Sequence, residues 1–189
     1  MKNGKAKELN SHVNIELLKA SKDNKGLLKY PKRIKSLTGQ GFNIISVAYN
    51  PTLEMVAVTK GGQYDNINLT AEYKCTLYIG KFDRHGTIEK LKPYEFNKTD
   101  FSTGFASFSM DGMTMYFASD REGGAGGFDI YESKMVGGEW SAPINLGNEV
   151  NTAGNEITPS RTADMLLFAS DTRAGFGGFD MFKAYEGPS

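Results

Sequence analysis

The chain has 189 residues, of which 39% are hydrophobic and 12% aromatic, and its 22 basic residues balance its 22 acidic ones. That is enough apolar material for one sizeable globular domain. The even charge excludes a basic stripe for nucleic acid, and no acidic or basic tail stands out. No stretch reaches the roughly eighteen apolar residues that span a bilayer, and Met1 to Leu18 lacks the compact apolar core of a secretory signal. The chain is therefore expected to be either cytoplasmic or a piece of a longer exported protein whose targeting segment lies upstream. The single cysteine, Cys75, has no intrachain disulfide partner and sits in an apolar strand context, where it reads as a small buried hydrophobe.

In chain order, the first forty residues look like the tail of a repeat. A shift of 112 places Leu18 on Ile130, Ser21 on Ser133, Lys22 on Lys134, Gly26 on Gly138, Leu28 on Trp140 and Pro31 on Pro143. A diverged copy follows, from Val47 to about Asn97. There Ala48 to Pro51 precede Met55 to Thr59 much as Ser107 to Met110 precede Met115 to Ser119. Val58 to Leu77 is 19 residues where Phe117 to Ile130 is 13, so about six extra residues around Gly61 to Glu72 lengthen one loop.

The clearest copies come next. Phe117, Ala118, Ser119, Asp120 recurs as Phe168, Ala169, Ser170, Asp171, and Gly126, Gly127, Phe128, Asp129 recurs as Gly177, Gly178, Phe179, Asp180, both 51 residues on. The same interval pairs Ser109 with Ser160, Met115 with Leu166 and Ile130 with Met181. A fixed period near fifty is the mark of a propeller or solenoid array.

Within one copy, Phe105 to Ser109 and Thr114 to Ser119 read as a hairpin around an Asp111, Gly112 turn. A glycine-rich loop from Arg121 to Gly127 leads to a third strand, Phe128 to Ser133. Gly137 and Gly138 then turn into a fourth, around Trp140 to Ile144. Four short antiparallel strands make one propeller blade. The second strand is apolar at successive positions in every copy, which requires both faces to be covered, as when a blade is stacked between two others. The expected fold is all-β: a β-propeller of four-stranded antiparallel blades, with residues 1–43 the tail of a preceding blade, 44–103 and 104–155 whole blades and 156–189 an incomplete one. About 3.7 repeats are present against the usual four to eight blades. With both ends falling mid-repeat, the chain is expected to be part of a larger propeller.

The run Ser109 to Gly112, Met115 to Arg121 and Gly126 to Tyr131 resembles the WD40-like (PD40) β-propeller repeat of TolB-type periplasmic proteins. Trp140, Pro143, Asn145, Leu146, Gly147, Val150, Asn151, Thr152, Asn155, Glu156 and Pro159 are similar to the variety found in OmpA-family, peptidoglycan-associated proteins of the Bacteroidota. The resemblance covers residues 105–184 well and 14–97 loosely. Met110 departs from it by standing where proline is usual, as do Thr162 and Ala163 where the Asp-Gly turn belongs. It implies a periplasmic, outer-membrane-associated module that binds protein partners of the cell envelope. Peptidoglycan would be reached through a domain outside these residues, and one subgroup of the family serves type IX secretion.

Candidate chemistry is sparse, and the expectation is no enzyme, no cofactor and no metal. Asp120, Glu122 and Asp129 with the loop glycines suggest a calcium site, but aspartates at strand ends bond nearby amides, and the recurrence at Asp171 and Asp180 favours that structural role. Ser109 to Tyr116 has the look of a sialidase Asp-box with the wrong spacing, and no pair of carboxylates stands out for glycoside hydrolysis. No Gly-x-Ser-x-Gly elbow is present, and the only histidines, His12 and His85, fall in a polar stretch and a turn. The glycine-rich loops lack the lysine and following helix of a phosphate cradle. Trp140 is expected against a neighbouring blade. An alternative function is a propeller domain accessory to a peptidase or glycosidase elsewhere in the same chain.

Overall fold

The computed structural model describes residues 18–34, 43–61, 74–83 and 87–185. His12 and His85, most of the extra loop around Gly61 to Glu72, and the last four residues lie outside them. The described residues form fourteen strands and no helix, in four antiparallel sheets that follow one another along the chain. Sheet I is the hairpin of β1 (Leu18–Lys22) and β2 (Leu28–Arg33). Sheet II runs in order through β3 (Asn43–Asn50), β4 (Met55–Gly61), β5 (Cys75–Phe82) and β6 (Ile88–Pro93).

Sheet III holds β7 (Thr103–Phe108), β8 (Thr114–Ser119) and β9 (Asp129–Val136). Its fourth position is shared by two short pieces, β10 (Glu139–Trp140) and β11 (Ile144–Asn145), both paired to β9. The expected single strand from Trp140 to Ile144 is broken at its middle. Ser141 bonds back sideways there, its N–H donating to the Lys134 carbonyl and its hydroxyl accepting the Lys134 N–H, while Pro143 has no N–H to give. Sheet IV is β12 (Glu156–Arg161), β13 (Met165–Ser170) and β14 (Asp180–Tyr185).

The sheets stack face to face, and alternate residues of each second strand point to opposite neighbours. Met55, Ala57 and Leu77 of sheet II close on Met115, Phe117 and Tyr131 of sheet III. The other face of sheet III, Tyr116 and Ile130, closes on Leu166 and Phe168 of sheet IV. That is why β4 and β8 each carry a run of successive apolar residues, Met55 to Val58 and Met115 to Ala118. Val56 and Val58 face the opposite way, into a cluster with Ile34, Ile44 and Ile88.

These faces refine the repeat. Val58, and not Ala57, takes the place of Phe117, so the earlier copy matches at 59 along its whole first hairpin. In sheet IV, Arg161 pairs with Leu166 where sheet III pairs Phe108 with Met115. The hairpin of sheet IV is therefore two residues shorter. Its first strand matches at 53, placing Ser160 opposite the position of Ser107 and not of Ser109. Thr162 and Ala163 then belong to a tighter turn and are not replacements for Asp111 and Gly112.

Candidate functional site

The inner strands β7 and β12 both carry a one-residue bulge, and each bulge puts a side-chain-bearing residue at positive φ: Phe105 at 55° and Thr158 at 52°. Bulky residues rarely adopt this conformation. At Phe105 it is held by the neighbouring sheet, because the Phe105 N–H donates to Thr59 Oγ1 at 2.8 Å and Gly104 lies so close to Thr59 that a Cβ would overlap its methyl. The bulge turns the Phe105 ring edge-on to Phe128, with centroids 6.4 Å apart. The two rings, with Cys75, Asn155, Ile157, Asp171 and Phe179, line a groove of about 350 Å³ spanning sheets II, III and IV.

Cys75 is buried in the wall of this groove, its N–H donating to Ser102 Oγ at 3.1 Å. Burial, then the nearby Asp120 carboxylate, pushes its thiol above the ordinary range, which disfavours a reactive thiolate. Asp171 is on the open side. Its carboxylate accepts both the N–H and the side-chain amide of Asn155, at 2.8 and 2.7 Å, and these bonds hold its pKa below the ordinary carboxylate value.

The repeated carboxylates have repeated duties. Asp120 accepts the Ser102 N–H at the start of β7, as Asp171 accepts the Asn155 N–H at the start of β12. Asp129 is fully buried and its Oδ2 takes the Ala125 N–H and the Asn145 amide. Asp180 takes the Phe176 N–H in the same way. A Cβ at Gly124 or Gly175 would overlap these carboxylates, which accounts for glycine at both places. Glu122 is exposed. Asp120 and Asp129, like Asp171 and Asp180, thus cap loops and strands, and no cluster of three metal-ligating side chains occurs among the described residues.

The structure also gives equivalent places in successive sheets to two arginines that the constant interval of 51 does not pair. The Arg121 guanidinium lies over Phe101, Phe117 and Tyr131 at 4.8, 5.4 and 5.0 Å, and that of Arg173 over Phe168 and Phe182 at 5.6 and 5.8 Å. They are 52 residues apart, so a residue-by-residue match sets Arg121 against Thr172. Trp140 is half-buried in the cluster between sheets II and III and stacks on Phe108 at 6.1 Å.

Stacked antiparallel sheets with their first strands innermost are the architecture of propeller blades. The TolB structure from Acinetobacter baumannii is similar to this chain with a TM-score of 0.50 at 19% identity, over 88% of the chain and 34% of that protein. The fold is a partial β-propeller. The chain thus spans about a third of the length of that TolB. A putative TolB from Agrobacterium tumefaciens matches at 14% identity and a TM-score of 0.39, over 90% of the chain and 82% of that protein. No family model matches the chain, and no curated protein does. No helix among the described residues is long and apolar enough to cross a membrane.

Proposed function

We propose that this chain is a non-catalytic propeller module of the bacterial cell envelope that binds protein partners through the groove of Phe105, Phe128, Ile157 and Phe179. Residues 44–103 and 104–155 are its whole blades and 156–189 part of another. The observation that carries the reading is the groove itself. Three blades contribute to it, its walls are largely aromatic and aliphatic, and the repeated carboxylates nearby are tied to backbone amides that hold the loops. Proteins use such concave apolar surfaces with a few polar groups for binding. The envelope setting, with outer-membrane association and an OmpA-like or type IX secretion context, is supported by the sequence resemblance of Ser109 to Tyr131 and Trp140 to Pro159.

The test is cross-linking of the purified chain to envelope extract, alongside glycosidase, esterase and peptidase substrate panels. We expect a discrete protein adduct that disappears in Ile157→Asp and Phe179→Asp variants whose circular dichroism is unchanged. Turnover abolished by replacing a single Asp or Glu overturns the reading, as does an adduct indifferent to both groove substitutions.

A further inference from the structure

The lining of the groove is aromatic and aliphatic apart from Cys75, Asn155 and Asp171, and it holds no basic side chain. Lys74, next to Cys75 in sequence, is drawn to Asp120 at 3.7 Å, so the charge that the lining itself presents is that of Asp171. Bonds from Asn155 and Thr172 keep that carboxylate ionised. Phe105 and Phe128 belong to blade III, whose sheet is packed on both faces, so their place in the groove does not depend on an uncovered sheet.

The hydrogen bonds already made show what the groove still offers. Asp171 Oδ1 accepts the Asn155 N–H at 2.8 Å and the Thr172 hydroxyl at 2.9 Å. Among the described residues Oδ2 accepts one bond, from the Asn155 side-chain amide at 2.7 Å, and Asn155 Oδ1 accepts one, from the Phe128 N–H at 3.0 Å. Carboxylate and amide oxygens each take two. Two acceptor positions therefore remain close together, beside aromatic rings whose faces are negative.

Such a site repels a carboxylate and leaves an aliphatic side chain beside polar atoms it cannot satisfy, whereas a cation gains from the rings and the acceptors alike. A guanidinium suits it better than an ammonium, being planar, weakly hydrated and equipped with N–H groups in a fixed fork. The chain seats its own guanidinium groups on phenylalanine in this way, Arg121 at 4.8 Å over Phe101 and Arg173 at 5.6 Å over Phe168.

We propose that the groove takes an arginine side chain from an extended segment of its protein partner, the guanidinium lying against the Phe105 and Phe128 rings and donating to Asp171 Oδ2 and Asn155 Oδ1. This rests on the reading of the groove as a protein-binding surface and adds which segment it chooses, a basic one.

The experiment is an NMR titration of the whole isotope-labelled chain with the end-capped peptide Gly-Gly-Arg-Gly-Gly and with versions that carry citrulline, norleucine or glutamate in place of arginine. Citrulline keeps the shape of arginine and lacks the charge. The arginine peptide should shift the Phe105, Phe128 and Asn155 amides saturably at millimolar concentration. The citrulline and norleucine peptides should bind about tenfold more weakly, and the glutamate peptide should give no shifts. Phe105→Leu, which keeps an apolar side chain and loses the ring, should remove most of the preference for arginine, as should Asp171→Asn. Excess arginine peptide should also block the cross-linked envelope adduct. Equal affinity for arginine and citrulline overturns the inference, as does a preference unchanged in both variants or an absence of shifts from every peptide. An adduct that is lost in Ile157→Asp yet indifferent to the arginine peptide overturns it while the groove reading stands. An adduct indifferent to the groove substitutions removes both.

Discussion

Phe117 and Phe168 fill the same place in successive blades. Each is buried, each pairs across the sheet with an aromatic residue, Tyr131 or Phe182, and each has an arginine guanidinium over its ring. Phe117 is the more enclosed, with Tyr94 edge-on at 5.4 Å from the neighbouring blade and Tyr131 stacked at 6.1 Å. Phe117→Ala should lower unfolding free energy by about 3 to 5 kcal/mol, because two sheets held on both sides cannot collapse into the space. Phe168→Ala should cost less, since Phe182 beside it is half-exposed and free to move in. Urea titrations of both variants check the ordering.

Arg121 contributes by shape as well as charge. Its planar group lies over three rings while Nε donates to Ser119 Oγ at 3.1 Å and Nη2 reaches Thr103 Oγ1 at 3.4 Å. Lysine has neither the plane nor the fork. Arg121→Lys is expected to destabilise the chain by about 1 to 2 kcal/mol through lost stacking and an unpaired hydroxyl. A midpoint equal to that of the unsubstituted chain would show that the charge alone suffices.

Tyr94 sets an alkaline limit. Burial pushes its phenol up to about 12 from the ordinary 10, so the folded state keeps its proton after the unfolded state has released it. A raised pKa contributes stability that is fully present below pH 10 and is lost as the pH rises through 12. The urea midpoint should therefore fall across that window. Tyr94→Phe, which has no proton to lose, should flatten the fall, and an unchanged slope would remove Tyr94 as its source.

The propeller could be read from the chain because its two best copies share both a period and a second strand apolar on both faces. Phe117 and Phe168 are related by the period alone. What escaped was whatever insertions displaced. The hairpin of blade IV is two residues short, so Ser160 answers to Ser107; in the earlier copy the loop lengths already set Val58 against Phe117, and only the run Met55 to Thr59 stood one residue off against Met115 to Ser119. Arg173 is displaced by one from the position facing Arg121, and so the stacking pair did not register as a repeat. The groove was hidden for a different reason. It depends on Phe105 adopting positive φ, a conformation phenylalanine does not announce, and on the contacts with Thr59, 46 residues away, that hold it there.

The junction of blades III and IV gives the sharpest structural test, because glycine is required there by contact and not by φ. Neither Gly126 nor Gly127 is left-handed, so a methyl group strains no torsion at either place. Its whole cost is steric, against the Ala153 backbone at Gly126, and a backbone cannot step aside as a flexible side chain can. Gly126→Ala should cost about 1 to 3 kcal/mol, in the range of overpacking, and loosen the β12 end of the joint. Gly123→Ala serves as the comparison. Gly123 has φ of 87° with nothing within 4 Å of its Cβ position, so its cost is torsional, about 1 kcal/mol, and local to the loop. Hydrogen exchange separates the two. Gly126→Ala should speed exchange at Glu156 and Gly127, whose N–H groups tie the glycine loop to the segment that enters β12, while Gly123→Ala leaves both protected. Equal protection in the two variants would mean that the glycine loop does not hold blade IV to blade III.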